Sequence, residues 1–122
     1  MSDVPRDLTV VITHGIEHEM SSVALTIARG GINAGLRVSL FLTSSGVDLV
    51  RKRGVELTHV PPLDSVKDLL AEIMTRGGTV WACPPCVKTR GYEQADLLEG
   101  VVIAGAAGMH KLIAAGGATL SF

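Results

Sequence analysis

The stretch Leu8-Thr9-Val10-Val11-Ile12-Thr13 is short, almost wholly apolar and rich in β-branched side chains. An apolar run without alternation reads as a strand buried on both faces. His14-Gly15-Ile16 breaks it, and from Met20 the period changes. Met20, Val23, Ala24, Ile27, Ala28 and Gly31 recur at spacings of three and four, one small-residue stripe on a helix that Gly35 ends.

The same alternation continues outward along the chain. Arg37-Val38-Ser39-Leu40-Phe41-Leu42 reads as a second buried strand. Ser44 and Ser45 are cap candidates for a short helix over residues 46–53, closed by Gly54 with Arg51, Lys52 and Arg53 at its negative end. Pro61 and Pro62 limit residues 55–60 to a short strand at best. Asp64 or Ser65 caps the next helix, whose apolar face is Val66, Leu69, Leu70, Ile73 and Met74 and which Gly77-Gly78 stops. Thr79-Val80-Trp81-Ala82 is a third strand, residues 92–98 a weaker helix, and Ala118-Thr119-Leu120-Ser121-Phe122 a closing strand. Val101-Val102-Ile103 reads either as a strand or as an extended approach to a helix over residues 106–115. Buried strands alternating with helices predict an α/β fold: a three-layer doubly wound parallel sheet of about five strands. One domain is expected, with residues 1–7 a loose lead-in.

Composition narrows the function. A chain of 122 residues buries roughly two-thirds of its unfolded surface, enough for a core without staples. With 47% hydrophobic and 19% charged residues it is not a disordered chain. The apolar runs are too short to span a bilayer, and the polar start carries no secretory signal, so no membrane partner is expected. A net charge of -1 sets up no global field for nucleic acid, so no direct nucleic-acid partner is expected either. Aromatic residues are only 3%, which argues against a stacking platform for bases. Two cysteines are no disulfide framework at this size and fit a reducing cytoplasm.

In a doubly wound sheet, ligands bind beyond the carboxyl ends of the strands. Two loops fall there: residues 14–19 after the first strand and residues 83–90 after Trp81. The second contains Cys83-Pro84-Pro85-Cys86, the strongest local signal in the chain. A following helix would begin at Pro85, with Cys86 in its first turn and Cys83 in the extended segment leaving the strand. Thiolates are favoured at a helix amino end and beside cations, and Lys88 and Arg90 are placed to supply the second effect. Such a loop suits sulfur or disulfide exchange. The bland alternative is two cysteines packed as small hydrophobes.

His14-Gly15-Ile16-Glu17-His18 matches the H-x-x-E-H string of zinc peptidases, but Gly15 directly after a strand argues against the regular helix that chemistry needs. The two loops could instead meet, with His14 or His18 joining the cysteines around zinc. His110 and His59 have no argued role. Arg51-Lys52-Arg53 reads as a solvated helix end. Gly105-Ala106-Ala107-Gly108 lacks both the G-x-G-x-x-G spacing and the P-loop lysine, so no nucleotide cofactor is expected.

Four stretches together resemble the DsrE/DsrF-like sulfur-relay family: residues 9–19, residues 38–52 with Val-Ser-Leu-Phe-Leu-Thr-Ser-Ser-Gly-Val, residues 83–91, and residues 102–122 from Val-Ile-Ala-Gly-Ala-Ala to Gly-Ala-Thr-Leu-Ser-Phe. A cysteine leaving a strand ahead of an Arg-Gly pair is the most specific of these features; here it is Cys83 ahead of Arg90-Gly91. The resemblance implies a small parallel α/β fold assembled as a homotrimer or homohexamer. It also implies that Cys83 carries sulfane sulfur as a persulfide between a donor and an acceptor protein, acting as a sulfurtransferase if it is an enzyme. Cys86 occurs in only part of such a family; it either resolves a persulfide on Cys83 or merely sits nearby. The resemblance also favours an extended approach over a full strand at residues 101–105. The expected catalytic residues are Cys83 and Cys86, with Lys88, Arg90 and His14 stabilising the thiolate. The alternatives are a thiol–disulfide redox protein using the same pair, and a non-catalytic metal- or ligand-binding module.

Overall fold

The computed structural model describes residues 6–122. Five strands, β1 (Asp7–Ile12), β2 (Arg37–Leu42), β3 (Thr79–Ala82), β4 (Val102–Ile103) and β5 (Ala118–Ser121), form one sheet in the order β4-β3-β2-β1-β5. Every pairing is parallel. Four α-helices connect or follow them: α1 (Met20–Asn33), α2 (Val66–Thr75), α3 (Pro84–Thr89) and α4 (Ala107–Ala114). Among the described residues no helix is long and apolar enough to cross a membrane.

The apolar runs explain the layering. Side chains alternate between the two faces of a strand. Leu8, Val10, Ile12, Val38, Leu40, Leu42, Val80 and Ala82 fall on one face, and all are buried. Against that face lies α1, close enough that a Cβ on Gly31 would meet Leu8 and Val38 at 3.0 and 3.1 Å. Each such Leu, Ile or Val side chain removed from water contributes about 1.5–3 kcal/mol. Beside α1 packs α2, joined to it by Arg29, whose guanidinium bonds Asp64 and reaches Glu72 at 3.6 Å. The opposite face is thinner. It carries Phe41 and Trp81, and Gly108 of α4 sits over the Trp81 ring. No residue of α4 is buried, and all four residues of β5 are exposed.

Several boundaries differ from the sequence reading, each for a local reason. Of the two cap candidates for α2, Ser65 is the one used, accepting the Asp68 N–H at 3.2 Å. The helix expected over residues 46–53 is a 3-10 helix, Ser44–Val50. Residues three apart eclipse on such a helix, which is how Val47 and Val50 both reach the core. Residues 55–60 form no strand; Gly54–Leu57 is a second 3-10 turn, with Gly54 pressed against the Asp48 carbonyl. The helix expected over residues 92–98 shrinks to Gln94–Asp96, because Glu93 and Asp96 cap one another's backbone and Leu97 then turns into the core. Both readings of residues 101–103 hold in part: a two-residue β4 pairs with Trp81 and Ala82, and the chain then enters α4. Of the expected lead-in, residues 1–5 lie outside the described residues, and Asp7 already belongs to β1, paired with Arg37.

Candidate thiol site at the carboxyl edge of the sheet

The strands β1, β2 and β3 end side by side. The ladder runs on past them: the Thr43 N–H donates to the Ile12 carbonyl at 3.0 Å, and the Cys83 N–H to the Leu42 carbonyl at 2.9 Å. Glycines let the loops close up. A Cβ on Gly46 would lie 2.2 Å from the Ile12 oxygen, and one on Gly15 2.8 Å from the Ser45 oxygen. The three strand-end loops are therefore locked backbone to backbone.

Cys83 leaves β3 in extended conformation and occupies the cap position of α3. That helix begins at Pro84, one residue earlier than expected, because neither proline needs a backbone donor in a first turn. Cys86 is then its third residue. Both thiols are free and half-buried. Burial pushes the Cys83 thiol up, and the facing Cys86 side chain pushes it further; the Cys86 backbone N–H works the other way.

The Cys86 sulfur accepts a hydrogen bond from the Ser44 N–H at 3.1 Å. Ser44 holds φ 50, in the left-handed region that side chains other than glycine seldom adopt. Behind the helix lies a polar cluster. Arg90 donates to the Cys86 carbonyl at 3.1 Å and approaches Asp48 at 3.6 Å. The Tyr92 hydroxyl donates to Asp48 at 2.6 Å, and the Arg51 guanidinium lies 5.1 Å above the Tyr92 ring. Burial and the Asp48 carboxylate both push the Tyr92 hydroxyl up.

The five expected site residues therefore fare differently. The structure brings Cys83 and Cys86 together. Arg90 stands beside them, bonded to the Cys86 carbonyl and paired with Asp48 at 3.6 Å. Lys88 is exposed and makes no hydrogen bond or ion pair among the described residues. His14 stacks on His18, with ring centroids 4.0 Å apart. The loop between those histidines is not a helix: its carbonyls at His14 and Gly15 accept from the buried Ser21 hydroxyl. Among the described residues no three His, Cys, Asp or Glu side chains gather in a metal-holding group. Ser44, Asp48 and Tyr92 were not singled out for chemistry. Asp48 carried one legible signal, a lone charge inside an otherwise apolar buried segment. A cavity of about 560 Å³ opens at the other end of the sheet, at the amino end of the strands, beside Arg37, Thr79, Trp81 and Lys111.

With this geometry in view, comparison with known proteins is informative. The model of the DsrE/DsrF-like family matches residues 6–122. The chain belongs to the DsrE/DsrF-like family. Two uncharacterized proteins are similar over most of their length. The uncharacterized protein MJ0989 of Methanocaldococcus jannaschii is 38% identical over 109 residues, covering 87% of this chain and 88% of the relative. The uncharacterized protein MK0008 of Methanopyrus kandleri is 36% identical over 107 residues, covering 87% and 83%. Among solved structures, the ychN protein from E. coli superimposes with a TM-score of 0.76 at 19% identity, over 98% of this chain and all of that one. A protein of unknown function from Methanobacterium thermoautotrophicum, MTH1491, gives 0.71 at 18% identity, again over 98% and 100%. At such identities these two matches establish the DsrE-like fold alone. Family membership suggests sulfur relay as the general role.

Proposed function

We propose that the protein carries sulfane sulfur as a persulfide on Cys83 and hands it to a partner protein. One observation supports this most: in a DsrE/DsrF-like chain, the free, half-buried Cys83 stands where β3 leaves the sheet, at the cap of α3. Exchange between proteins needs a reachable sulfur and a docking surface rather than an enclosed cavity.

The reaction is an exchange without net redox change. The Cys83 thiolate attacks the outer sulfur of a donor persulfide. A bond forms between them, the donor's sulfur–sulfur bond breaks, and the donor leaves as a thiolate. An acceptor thiolate then attacks the outer sulfur on Cys83, and Cys83 leaves as the thiolate it began as. Arg90 fixes the Cys86 carbonyl and so the pitch of the first turn of α3; Lys88, free in solvent, meets the partner's charges. Donor and acceptor are proteins, and the setting is a reducing cytoplasm, where free cysteines persist.

The carrier works as a homo-oligomer, a trimer or hexamer. The thin cover of α4 and the exposed apolar Ile113 and Leu120, 41% and 43% accessible, support this. Persulfide-selective alkylation followed by peptide mapping tests the assignment. In Cys86→Ala the label is expected on the Cys83 peptide after exposure to a donor persulfide, and it is expected to disappear when an acceptor thiol protein is added. An unlabelled Cys83 peptide in that variant, or a label on Cys86 in Cys83→Ala, would contradict it.

A further inference from the structure

The relay reading uses Cys83 and leaves Cys86 without a task, yet Cys86 is the better-held sulfur. It takes the Ser44 N–H at 3.1 Å, from a residue kept in a sparsely populated backbone region. Ser44 opens a 3-10 helix, so this donor has no partner within its own helix. Strained residues of this kind concentrate where a site depends on the geometry they impose. The consequence here is a sulfur fixed in direction at the third position of α3, in the same turn as Cys83 at the helix cap. A donor aimed at sulfur is also a contact that a charged sulfur accepts more strongly than a neutral one.

Resting on the proposal that Cys83 loads with sulfane sulfur, we infer that Cys86 discharges that persulfide as hydrosulfide, giving the protein a sulfane-reducing activity beside the relay. The Cys86 thiolate attacks the inner sulfur, Cys83 Sγ. A Cys83–Cys86 disulfide bond forms, and the bond from Cys83 Sγ to the outer sulfur breaks. The outer sulfur leaves with the electron pair as hydrosulfide, a leaving group of lower basicity than an alkyl thiolate and so a fast one. The two cysteine sulfurs are oxidised to the disulfide level, and the sulfane sulfur is reduced to sulfide. The Cys86 proton passes to solvent. An external dithiol reductant returns the pair to thiols. An acceptor protein and Cys86 therefore compete for one intermediate, and their rates decide whether sulfur is passed on or released.

The test uses the full chain, without reductant, and one equivalent of glutathione persulfide, whose loading step itself releases only glutathione. Hydrosulfide is measured against donor alone, and intact mass is read on the same sample. The native protein is expected to release one hydrosulfide per chain and to become the internal disulfide. Cys86→Ser and Cys86→Ala are expected to hold the extra sulfur atom and to release no hydrosulfide above background. If the native protein holds its extra sulfur as firmly as the Cys86 variants, the discharge step is overturned while the carrier stands. Hydrosulfide released equally by the variants overturns it too. If neither variant loads at all, the carrier proposal fails and the discharge step with it.

Discussion

At the scale of single residues, the two thiols are not equivalent. Cys83 is half-buried and its thiol is held above the ordinary range, first by burial and then by the facing Cys86. Its chemistry runs through the thiolate, so its reactivity falls as pH drops and keeps rising on the alkaline side of the usual thiol midpoint. Removing Cys86 takes away the second cause and leaves the first. In Cys86→Ala, the midpoint for alkylation of Cys83 is therefore expected to move down, yet to stay above that of a free thiol. A pH series of iodoacetamide rates, followed on the Cys83 peptide, reads both; an upward move would contradict this account of the pair. Tyr92 offers a cleaner energetic test. Its hydroxyl donates to a partly buried carboxylate, a bond worth about 1–3 kcal/mol. Tyr92→Phe is expected to lower stability by that order in a denaturant titration, and a silent substitution would mean the bond is not made in solution.

At the scale of elements, the sequence was informative wherever apolar spacing was regular. The runs at residues 8–12, 37–42 and 79–82 are strands, and the stripes beginning at Met20 and Val66 are helices, because burial enforces those periods. Legibility failed where backbone contacts decide. Nothing in Ser44-Ser45-Gly46 announces that the turn runs so close to β1 that a Cβ at Gly46 would lie 2.2 Å from the Ile12 oxygen, or that Ser44 takes a left-handed φ beside it. The Cys83–Cys86 pair was legible from spacing alone, whereas the Asp48–Tyr92–Arg90 cluster joins residues up to 44 apart and left no local pattern. The contrast between two glycines checks the point. Gly46→Ala forces backbone apart and is expected to cost roughly 1–3 kcal/mol or more and to slow loading of Cys83. Gly30→Ala lies in α1, where a Cβ meets nothing, and is expected to add about 0.5–1 kcal/mol. Thermal unfolding of the two variants should diverge in opposite directions.

At the scale of the whole molecule, the sheet is covered unevenly. The face under α1 and α2 is a sealed core, while α4 buries none of its own residues and β5 lies open at the sheet edge. Open, apolar edges invite pairing with another chain. Sedimentation of the native protein is expected to give a trimer or hexamer, and Ile113→Glu with Leu120→Glu to shift it toward the single chain. A native protein that sediments as a monomer would remove the assembly from the account. The cysteine pair lies at the end of β3, two strands from β1 and away from β5, so the thiols remain reachable when that edge is covered.

The carrier role itself stands or falls on one intact-mass comparison. After exposure to a sulfane donor, Cys86→Ala is expected to gain one sulfur atom and Cys83→Ala none. Uptake by Cys83→Ala, or its absence from Cys86→Ala, would contradict the assignment of the cargo to Cys83.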